Sequence, residues 1–145
     1  MEIRKASISD TKVLTKLALN SKNHWGYGGA KIEEWRNELT ITEAYIERNH
    51  VLKLVDRNCI KAFYSYCIKK DNAILLDFFF VNVNYIGKGL GRLMMENFLS
   101  RIENKGYAKI EVESDVNAIT FYKQFGFEAL TVMDKEPQNL LELKL

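Results

Sequence analysis

The feature that most constrains the fold is an apolar segment followed by a glycine-rich loop and a long amphipathic pattern. Residues Ala73–Val81 read Ala-Ile-Leu-Leu-Asp-Phe-Phe-Phe-Val and do not alternate with polar residues. A strand that is apolar on successive residues needs both faces covered, so we expect this segment at the centre of a sheet. Over residues 89–104, apolar residues recur at three- and four-residue spacing, which predicts a helix.

The rest of the chain shows further strand and helix patterns. Strands are predicted at residues 2–6, 51–56, 60–68, 73–81, 109–113, 127–132 and 140–145. Helices are predicted after a cap at Ser9 or Asp10, with Val13, Leu14, Leu17 and Ala18 on one face, and at residues 31–39, 42–48, 89–104 and 116–125. The order βαα(α)βββαβαββ predicts an α/β fold: a mixed, mostly antiparallel sheet of about seven strands with helices on both faces. We expect the strand at 109–113 to run parallel to the central one.

Length and charge restrict the class of protein. The 145 residues fit one domain spanning residues 1–145, and 47% hydrophobic residues are enough for a core. The 21 Lys and Arg and 19 Asp and Glu residues are spread along the chain, so we expect no nucleic-acid partner. Because no export signal and no membrane-length apolar segment is visible, we expect a cytoplasmic protein with no membrane partner.

The two cysteines do not form a site. Cys59 and Cys67 lie in one predicted extended segment, roughly 26 Å apart at about 3.3 Å per residue. A disulfide needs Cα atoms within about 7 Å, so these thiols cannot pair. Neither has a Cys or His at metal-ligand spacing, and we predict no metal site.

The glycine loop predicts an anion site. Gly87, Gly89 and Gly91 lie between the central strand and the longest helix. Glycine permits positive φ and close approach of a ligand, and the first amides of a helix lack internal partners. A phosphate or diphosphate is the natural ligand, and the nearby cations Lys88 and Arg92 favour it. The alternative is a turn that only allows tight packing of strand and helix.

Spacing excludes two common phosphate-binding motifs. A Walker A loop needs Lys and then Ser or Thr after its last glycine, but Arg92 and Leu93 follow Gly91. A dinucleotide fingerprint has the spacing G-x-G-x-x-G, whereas these glycines read G-x-G-x-G. Glu111 stands near the position of a ribose-binding acid, yet five residues, 82–86, separate the strand from the first glycine. A pyridine-nucleotide domain is therefore disfavoured.

The same residues resemble the GNAT superfamily of N-acetyltransferases, over nearly the whole chain. The family's acyl-CoA motif, Gln/Arg-x-x-Gly-x-Gly/Ala, falls on Ile86-Gly87-Lys88-Gly89-Leu90-Gly91, with Ile86 departing from the usual Gln or Arg. Asn82-Val83 stands where the family commonly has Asp-Pro. A second motif, Asn117-Ala118-x-x-Phe121-Tyr122-x-x-x-Gly126-Phe127, resembles the family's fourth helix and following strand.

The resemblance implies a set of residues that hold acetyl-CoA as co-substrate. Backbone groups of Phe79, Val81 and Val83 would pair with the pantetheine arm. The diphosphate would be held by amides of Gly87, Lys88, Gly89, Leu90, Gly91 and Arg92. Asn117 would hydrogen-bond the coenzyme near its thioester, although by itself it is equally consistent with a residue that satisfies local backbone groups.

Candidate catalytic residues follow from the chemistry of acyl transfer. The Val81 N–H would face the carbonyl oxygen, and Tyr122 would protonate the departing thiolate, unless it is simply a core aromatic residue. The base stays open. Asp77 interrupts an apolar strand, where burial would raise its pKa, and the alternatives are Glu111, Glu113, His24 and a chain of water molecules.

The segment after the first helix is where this fold usually covers the acceptor. His24, Trp25 and Tyr27 are candidate acceptor-binding residues, or else aromatic anchors of the loop. The sequence predicts an N-acetyltransferase that transfers an acetyl group from acetyl-CoA to a primary amine of a small molecule or peptide by direct attack. The alternative is an acyl-CoA-binding sensor of the same fold without turnover. A homodimer stays open, because many such folds dimerise.

Overall fold

The computed structural model describes residues 1–130 and 138–145. The seven strands are β1 (Glu2–Lys5), β2 (His50–Asp56), β3 (Cys59–Ile68), β4 (Ala73–Val81), β5 (Lys109–Asp115), β6 (Glu128–Ala129) and β7 (Gln138–Lys144). The α-helices within the described residues are α1 (Thr11–Asn23), α2 (Gly29–Leu39), α3 (Glu43–Arg48), α4 (Leu90–Ile102) and α5 (Ile119–Lys123). None of them combines the length and the apolar character that a membrane span requires.

The strands form one sheet in the order β1-β2-β3-β4-β5-β7-β6. β4 is the fourth of seven, which confirms its central position. β5 runs parallel to β4, with Ala73 opposite Lys109 and Leu76 opposite Val112, as expected. The pairs β1 with β2, β5 with β7, and β6 with β7 are antiparallel. The predicted α/β class and the mostly antiparallel sheet are confirmed.

The chain divides into two units, which we describe separately. Unit 1 comprises residues 1–65 and 78–101, and it contains α1 to α4. Its main core joins α1 to the sheet through buried Leu14, Phe63 and Phe78. On the other face of the sheet, the buried Tyr64 ring packs 5.5 Å from Phe98 of α4. Unit 1 therefore has helices on both faces, as the apolar β4 pattern predicts.

Unit 2 comprises residues 66–77 and 102–145, within which 131–137 are not described. Its sheet includes the first half of β4 together with β5 and β7. The fully buried Ile74, Ile110 and Leu141 form the centre of this unit. Lys69 and Lys109 both form ion pairs with Glu111, at 3.0 and 3.3 Å. Unit 2 thus combines an apolar centre with charge pairs along β5.

Two local expectations are corrected. The predicted helix over 116–125 is a 3-10 turn, Val116–Ala118, followed by α5, because the Asp115 carboxylate accepts the Asn117 N–H and caps a tighter turn. Val13, expected on the buried face of α1, is 50% exposed, whereas Leu14 is fully buried. The strand predicted at 127–132 is observed at Glu128–Ala129, and its last two residues lie outside the described part of the chain.

Candidate functional site

The carboxyl end of β4 leads into a tight turn that the sequence explains. Asn82 caps a 3-10 turn, Val83–Tyr85, by accepting the Asn84 N–H on its side-chain oxygen at 3.0 Å. The Tyr85 N–H donates to the Asn82 carbonyl at 2.9 Å. An asparagine oxygen caps such a turn as an aspartate oxygen would. The departure from Asp-Pro therefore keeps the capping function in this chain.

The loop that follows the turn needs glycine for its backbone conformation. Gly87 and Gly89 have φ of +83° and +80°. A Cβ added at either position would meet no atom within 4 Å, so crowding does not explain the choice of residue. Positive φ is the conformation that other residues adopt only with strain. Gly91, in contrast, lies within α4 and outside the positive-φ set.

The glycine loop leads into the amino end of α4. The Leu93 N–H donates to the Gly89 carbonyl at 3.1 Å, which begins the helical bonding of α4. The first amides of a helix precede its internal hydrogen bonds and point away from its carboxyl end, toward the loop side. Partial positive charge accumulates at these amides through the helix dipole. The geometry fits an anion held by backbone groups, as the glycine pattern predicts.

Cationic side chains surround the loop, but some have protein partners. Lys61 lies with its ammonium 4.4 Å from the Tyr85 ring centroid and forms a 2.7 Å ion pair with Asp56. Lys88 is exposed, with its ammonium 6.0 Å from the same ring. Arg92 lies 3.7 Å from Glu96. Because Glu96 offsets the charge of Arg92, the case for an anion rests on the amides and Lys88 more than on a pair of cations.

The three residues expected to pair with the pantetheine arm follow one another along β4 and its turn. Phe79 and Val81 are half-buried in the second half of β4, and Val83 opens the 3-10 turn. The Phe79 ring stacks on Tyr64 with centroids 6.3 Å apart. The structure brings these residues together with the glycine loop within unit 1.

Asn117 lies in unit 2 and is tied to its own turn. The Asp115 carboxylate accepts hydrogen bonds from the Asn117 backbone amide at 2.9 Å and from its side-chain amide at 2.8 Å. Asp115 is buried, while Asn117 is exposed. The asparagine side chain is therefore held in place by a buried carboxylate, which the motif alone did not indicate.

Tyr122 also lies in unit 2, on α5. The side chain is buried and packs edge to face on Phe127, with ring centroids 5.5 Å apart. Burial, together with the negative charge of Asp115, raises the pKa of the Tyr122 hydroxyl. The phenol therefore retains its proton throughout the physiological pH range. The shift makes this phenol a weaker acid than an ordinary tyrosine, although it still holds the proton that a donor needs, and it excludes a role as base.

The surroundings of two candidate bases, Asp77 and Glu111, argue against that role. Asp77 is exposed, so the expectation that this carboxylate is buried is wrong. Asp77 lies on the opposite face of β4 from the buried Leu76 and Phe78, and it is more exposed than Leu75 and Phe79 on its own face. Hydrogen bonds from Lys69 and Lys109 lower the pKa of Glu111, which makes it an ion-pair partner and a poor base. Glu113, on the same strand, is exposed.

The segment between α1 and α2 carries the predicted acceptor-binding residues. His24 and the 44% exposed Trp25 pack edge to face, with ring centroids 5.2 Å apart. Tyr27 instead packs on Trp35 of α2, at 4.9 Å between centroids. The ammonium of the buried Lys22 lies 5.0 Å from the Trp35 ring. Tyr27 therefore anchors the loop, while His24 and Trp25 stay accessible.

A cleft of about 750 Å³ between α1 and α2 contains none of the predicted site residues. Its lining includes the apolar Leu19, Ile32 and Ile41 and the cationic Lys12 and Lys16. The cleft is open to solvent. None of the residues that line the cleft belongs to the glycine loop, so the cleft does not extend the site described above.

Sequence reasoning missed three residues that, each within its own unit, hold predicted site residues or their turns in place. Ser21 donates its hydroxyl to the Val81 carbonyl at 3.0 Å. Asp115 holds Asn117, and Asn82 caps the turn before the glycines. An Asn or Asp side chain often accepts a hydrogen bond from the backbone amide two residues later and so marks a turn. This local signal could have identified Asp115 and Asn82. No local signal could have revealed Ser21, because its partner lies 60 residues away.

Comparison with known proteins identifies the fold. The structure of PaiA N-acetyltransferase from Thermoplasma acidophilum in complex with coenzyme A matches with a TM-score of 0.84 and 21% identity, covering 99% of this chain and 98% of that one. YncA from Salmonella typhimurium with its cofactor acetyl-CoA matches with a TM-score of 0.69 and 16% identity, covering 99% of this chain and 93% of that one. The ribosomal-protein-S18-alanine N-acetyltransferase from Escherichia coli matches with a TM-score of 0.71 and 17% identity, covering 99% of this chain and 92% of that one.

Two of these neighbours, PaiA and YncA, were solved with coenzyme A and acetyl-CoA, respectively. No curated protein sequence matches the chain significantly. The family profile described as acetyltransferase (GNAT) domain matches residues 13–139. The chain belongs to the GNAT acetyltransferase family, which confirms the resemblance drawn from the glycine loop and the Asn117 motif.

Proposed function

We propose that this protein transfers the acetyl group of acetyl-CoA to the primary amine of a small molecule or peptide by direct attack. The observation that carries the proposal is the left-handed turn at Gly87 and Gly89, which opens directly into the amino end of α4. This arrangement places the first turn of a helix, with its partial positive charge, directly after a glycine loop, and diphosphate is a group that such a helix start suits.

The residues of unit 1 fit coenzyme A. Space beside Gly87 and Gly89 is open, so a ligand can approach the backbone where a Cβ would otherwise stand. Amides of residues 87–92 would hold the diphosphate, and the exposed Lys88 adds an ammonium. Backbone groups of Phe79, Val81 and Val83 would pair with the pantetheine arm as an added strand. When bound, acetyl-CoA supplies an acetyl group activated as a thioester.

The chain's own groups would orient the reactants and move one proton. The Val81 N–H would donate to the carbonyl oxygen as negative charge develops there. Asn117, held by Asp115, would donate or accept a hydrogen bond near the thioester. Tyr122 retains its proton because burial raises its pKa, and it would deliver that proton to the departing thiolate.

Water molecules, rather than a side chain, take the role of general base in this proposal. Asp77 is exposed, and Glu111 is held by Lys69 and Lys109, so neither offers a buried carboxylate that is poised to accept a proton. His24 is exposed in the loop and Glu113 is exposed on β5. An amine that loses its proton to a chain of water molecules needs no carboxylate. His24 and Trp25 would then contact the acceptor without removing its proton, and Tyr27 would hold their loop on α2.

The first experiment is thermal unfolding with acetyl-CoA, CoA, NAD and ATP in parallel. A ligand at a hundred times its dissociation constant stabilises the native state by about 2.7 kcal/mol. For a chain of this length that corresponds to an increase of roughly 5–10 °C in Tm. We expect this increase with acetyl-CoA and CoA only. Stabilisation by NAD alone, or by no nucleotide, would contradict the proposal.

The second experiment measures thiol release from acetyl-CoA against a panel of amines. The panel includes small primary amines and a peptide with an amino-terminal alanine, the acceptor residue in the name of one structural neighbour. We expect release that depends on one class of amine. If acetyl-CoA stabilises the protein but no amine causes release, the alternative of a non-catalytic acyl-CoA sensor replaces the enzymatic proposal.

A further inference from the structure

The peptide group between Val81 and Asn82 is held from two sides in unit 1. Its carbonyl oxygen accepts a hydrogen bond from the Ser21 hydroxyl at 3.0 Å. Its N–H donates to the Lys61 carbonyl of β3 at 2.8 Å. Because a peptide group is planar, two hydrogen bonds from opposite directions fix its orientation. The end of β4 is therefore clamped between β3 and α1.

Ser21 makes this contact from the last turn of α1. A helical serine often bonds to a carbonyl four residues back in its own helix. Here the hydroxyl reaches a strand carbonyl 60 residues away, in a half-buried position. The segment with His24 and Trp25 begins three residues later. One hydrogen bond thus connects the end of β4 to the helix that leads into the predicted acceptor loop.

We propose that Ser21 is a positioning residue for acyl transfer. The inference rests on the function proposed above, in which the Val81 N–H faces the carbonyl oxygen. The Val81 N–H belongs to the preceding peptide group, between Phe80 and Val81, and is joined to the clamped group through the Val81 Cα. Val81 lies in the extended backbone of β4, so holding its carbonyl restrains the direction of its N–H through the φ and ψ angles of this one residue. Ser21 does not contact the reacting atoms, and it acts through the strand end that does.

The effect of losing this bond falls mainly on the rate. The larger part of coenzyme affinity is proposed to come from amides of the glycine loop, none of which bonds to Ser21 in the described hydrogen bonds, and Val81 is only one of three residues proposed to pair with the pantetheine arm. A donor displaced by about 1 Å can lower the rate by up to a hundredfold. Since Lys61 still holds the other side of the peptide group, we expect a smaller loss of about tenfold in kcat.

The test compares Ser21→Ala, Ser21→Thr and wild type, with Ser100→Ala as a matched control. Ser100 is an exposed serine near the end of α4. The measurements are kcat and KM for acetyl-CoA, the Kd of CoA, and Tm. For Ser21→Ala we expect kcat about tenfold lower with KM and Kd within twofold. Ser21→Thr restores kcat because it keeps the hydroxyl, and Ser100→Ala matches wild type.

Other outcomes distinguish a failure of the positioning role of Ser21 from a failure of the proposed function. If wild type is active and Ser21→Ala keeps its kcat, the positioning role is wrong and the proposed function stands. If Ser21→Ala loses kcat, CoA affinity and Tm together, Ser21 is only structural. Failure of Ser21→Thr to recover activity while its Tm matches wild type also overturns the role. If wild type releases no thiol with any amine, the proposed function and this inference both fail.

Discussion

Single side chains at the site mostly hold backbone in place. Asn82 caps the turn that precedes the glycines, and Asp115 accepts two hydrogen bonds from Asn117. Ser21 fixes the Val81 carbonyl. These contacts fix two turns and a strand end, and main-chain amides are the groups by which this protein is proposed to bind coenzyme A. Tyr122 is the exception, because its proposed role depends on its own hydroxyl.

Replacing Tyr122 by Phe tests that role. The variant removes only the hydroxyl, and the ring contact with Phe127 is kept, so we expect the fold to persist. Turnover should fall at least about tenfold, because a positioned proton donor typically raises a reaction rate by about a hundredfold or more. The affinity for acetyl-CoA should change little. Steady-state kinetics and a CoA titration check both values, and unchanged turnover would remove the assignment.

At the scale of elements, the glycine loop and α4 are proposed to bind the diphosphate together. Gly89 has φ of +80°, and Gly106, which follows the carboxyl end of α4, has φ of +83°. Both face open space, so alanine adds the same strain at each, about 1–2 kcal/mol. They differ in that only Gly89 belongs to the proposed diphosphate site.

This difference gives a matched pair of variants. Gly89→Ala should weaken CoA binding at least about tenfold, because the strained loop misdirects amides that must point at the diphosphate. Gly106→Ala should lose a similar amount of stability and keep its affinity. Isothermal titration with CoA and thermal unfolding measure the two effects. Equal affinities in the two variants would show that the loop does not hold the diphosphate.

The buried face of α1 is a second property of an element. Val13 and Leu14 are neighbours in the sequence, yet Val13 is 50% exposed and Leu14 is 0% exposed. Leu14→Ala should lower the free energy of unfolding by about 2–5 kcal/mol, since it leaves a cavity beside Phe63 and Phe78. Val13→Ala should change it by less than about 0.5 kcal/mol. Chemical denaturation measures both, and a large effect at Val13 would contradict the observed helix orientation.

For the whole molecule, acid stability depends on carboxylates held by lysines. Asp10 lies 2.7 Å from the Lys53 ammonium, and both side chains are nearly buried. Burial alone would raise the pKa of Asp10, but hydrogen bonds from Lys53 and from Ser7 lower it on balance. A carboxylate with a lowered folded pKa stabilises the protein above its unfolded pKa of about 3.9. That stabilisation is lost as the pH falls through the folded value.

Asp10→Asn tests this linkage. At pH 7 the variant should be less stable by about 1–3 kcal/mol, because Lys53 loses a charged hydrogen-bond partner. The difference from wild type should shrink below about pH 4, where Asp10 itself becomes protonated. Denaturant titrations at pH 7, 5 and 3 follow the difference. The exposed Glu103→Gln is the control, and a difference that stays constant with pH would exclude the proposed contribution of Asp10.

The sequence alone determined the elements, the central place of Ala73–Val81 and the glycine loop before α4. Such features follow from local rules: apolar period, capping side chains and the need for glycine at positive φ. The tertiary structure decided that Asp77 is exposed, that Glu111 is paired with two lysines and that Ser21 reaches Val81. These outcomes depend on packing between segments far apart in the chain, which no local pattern encodes.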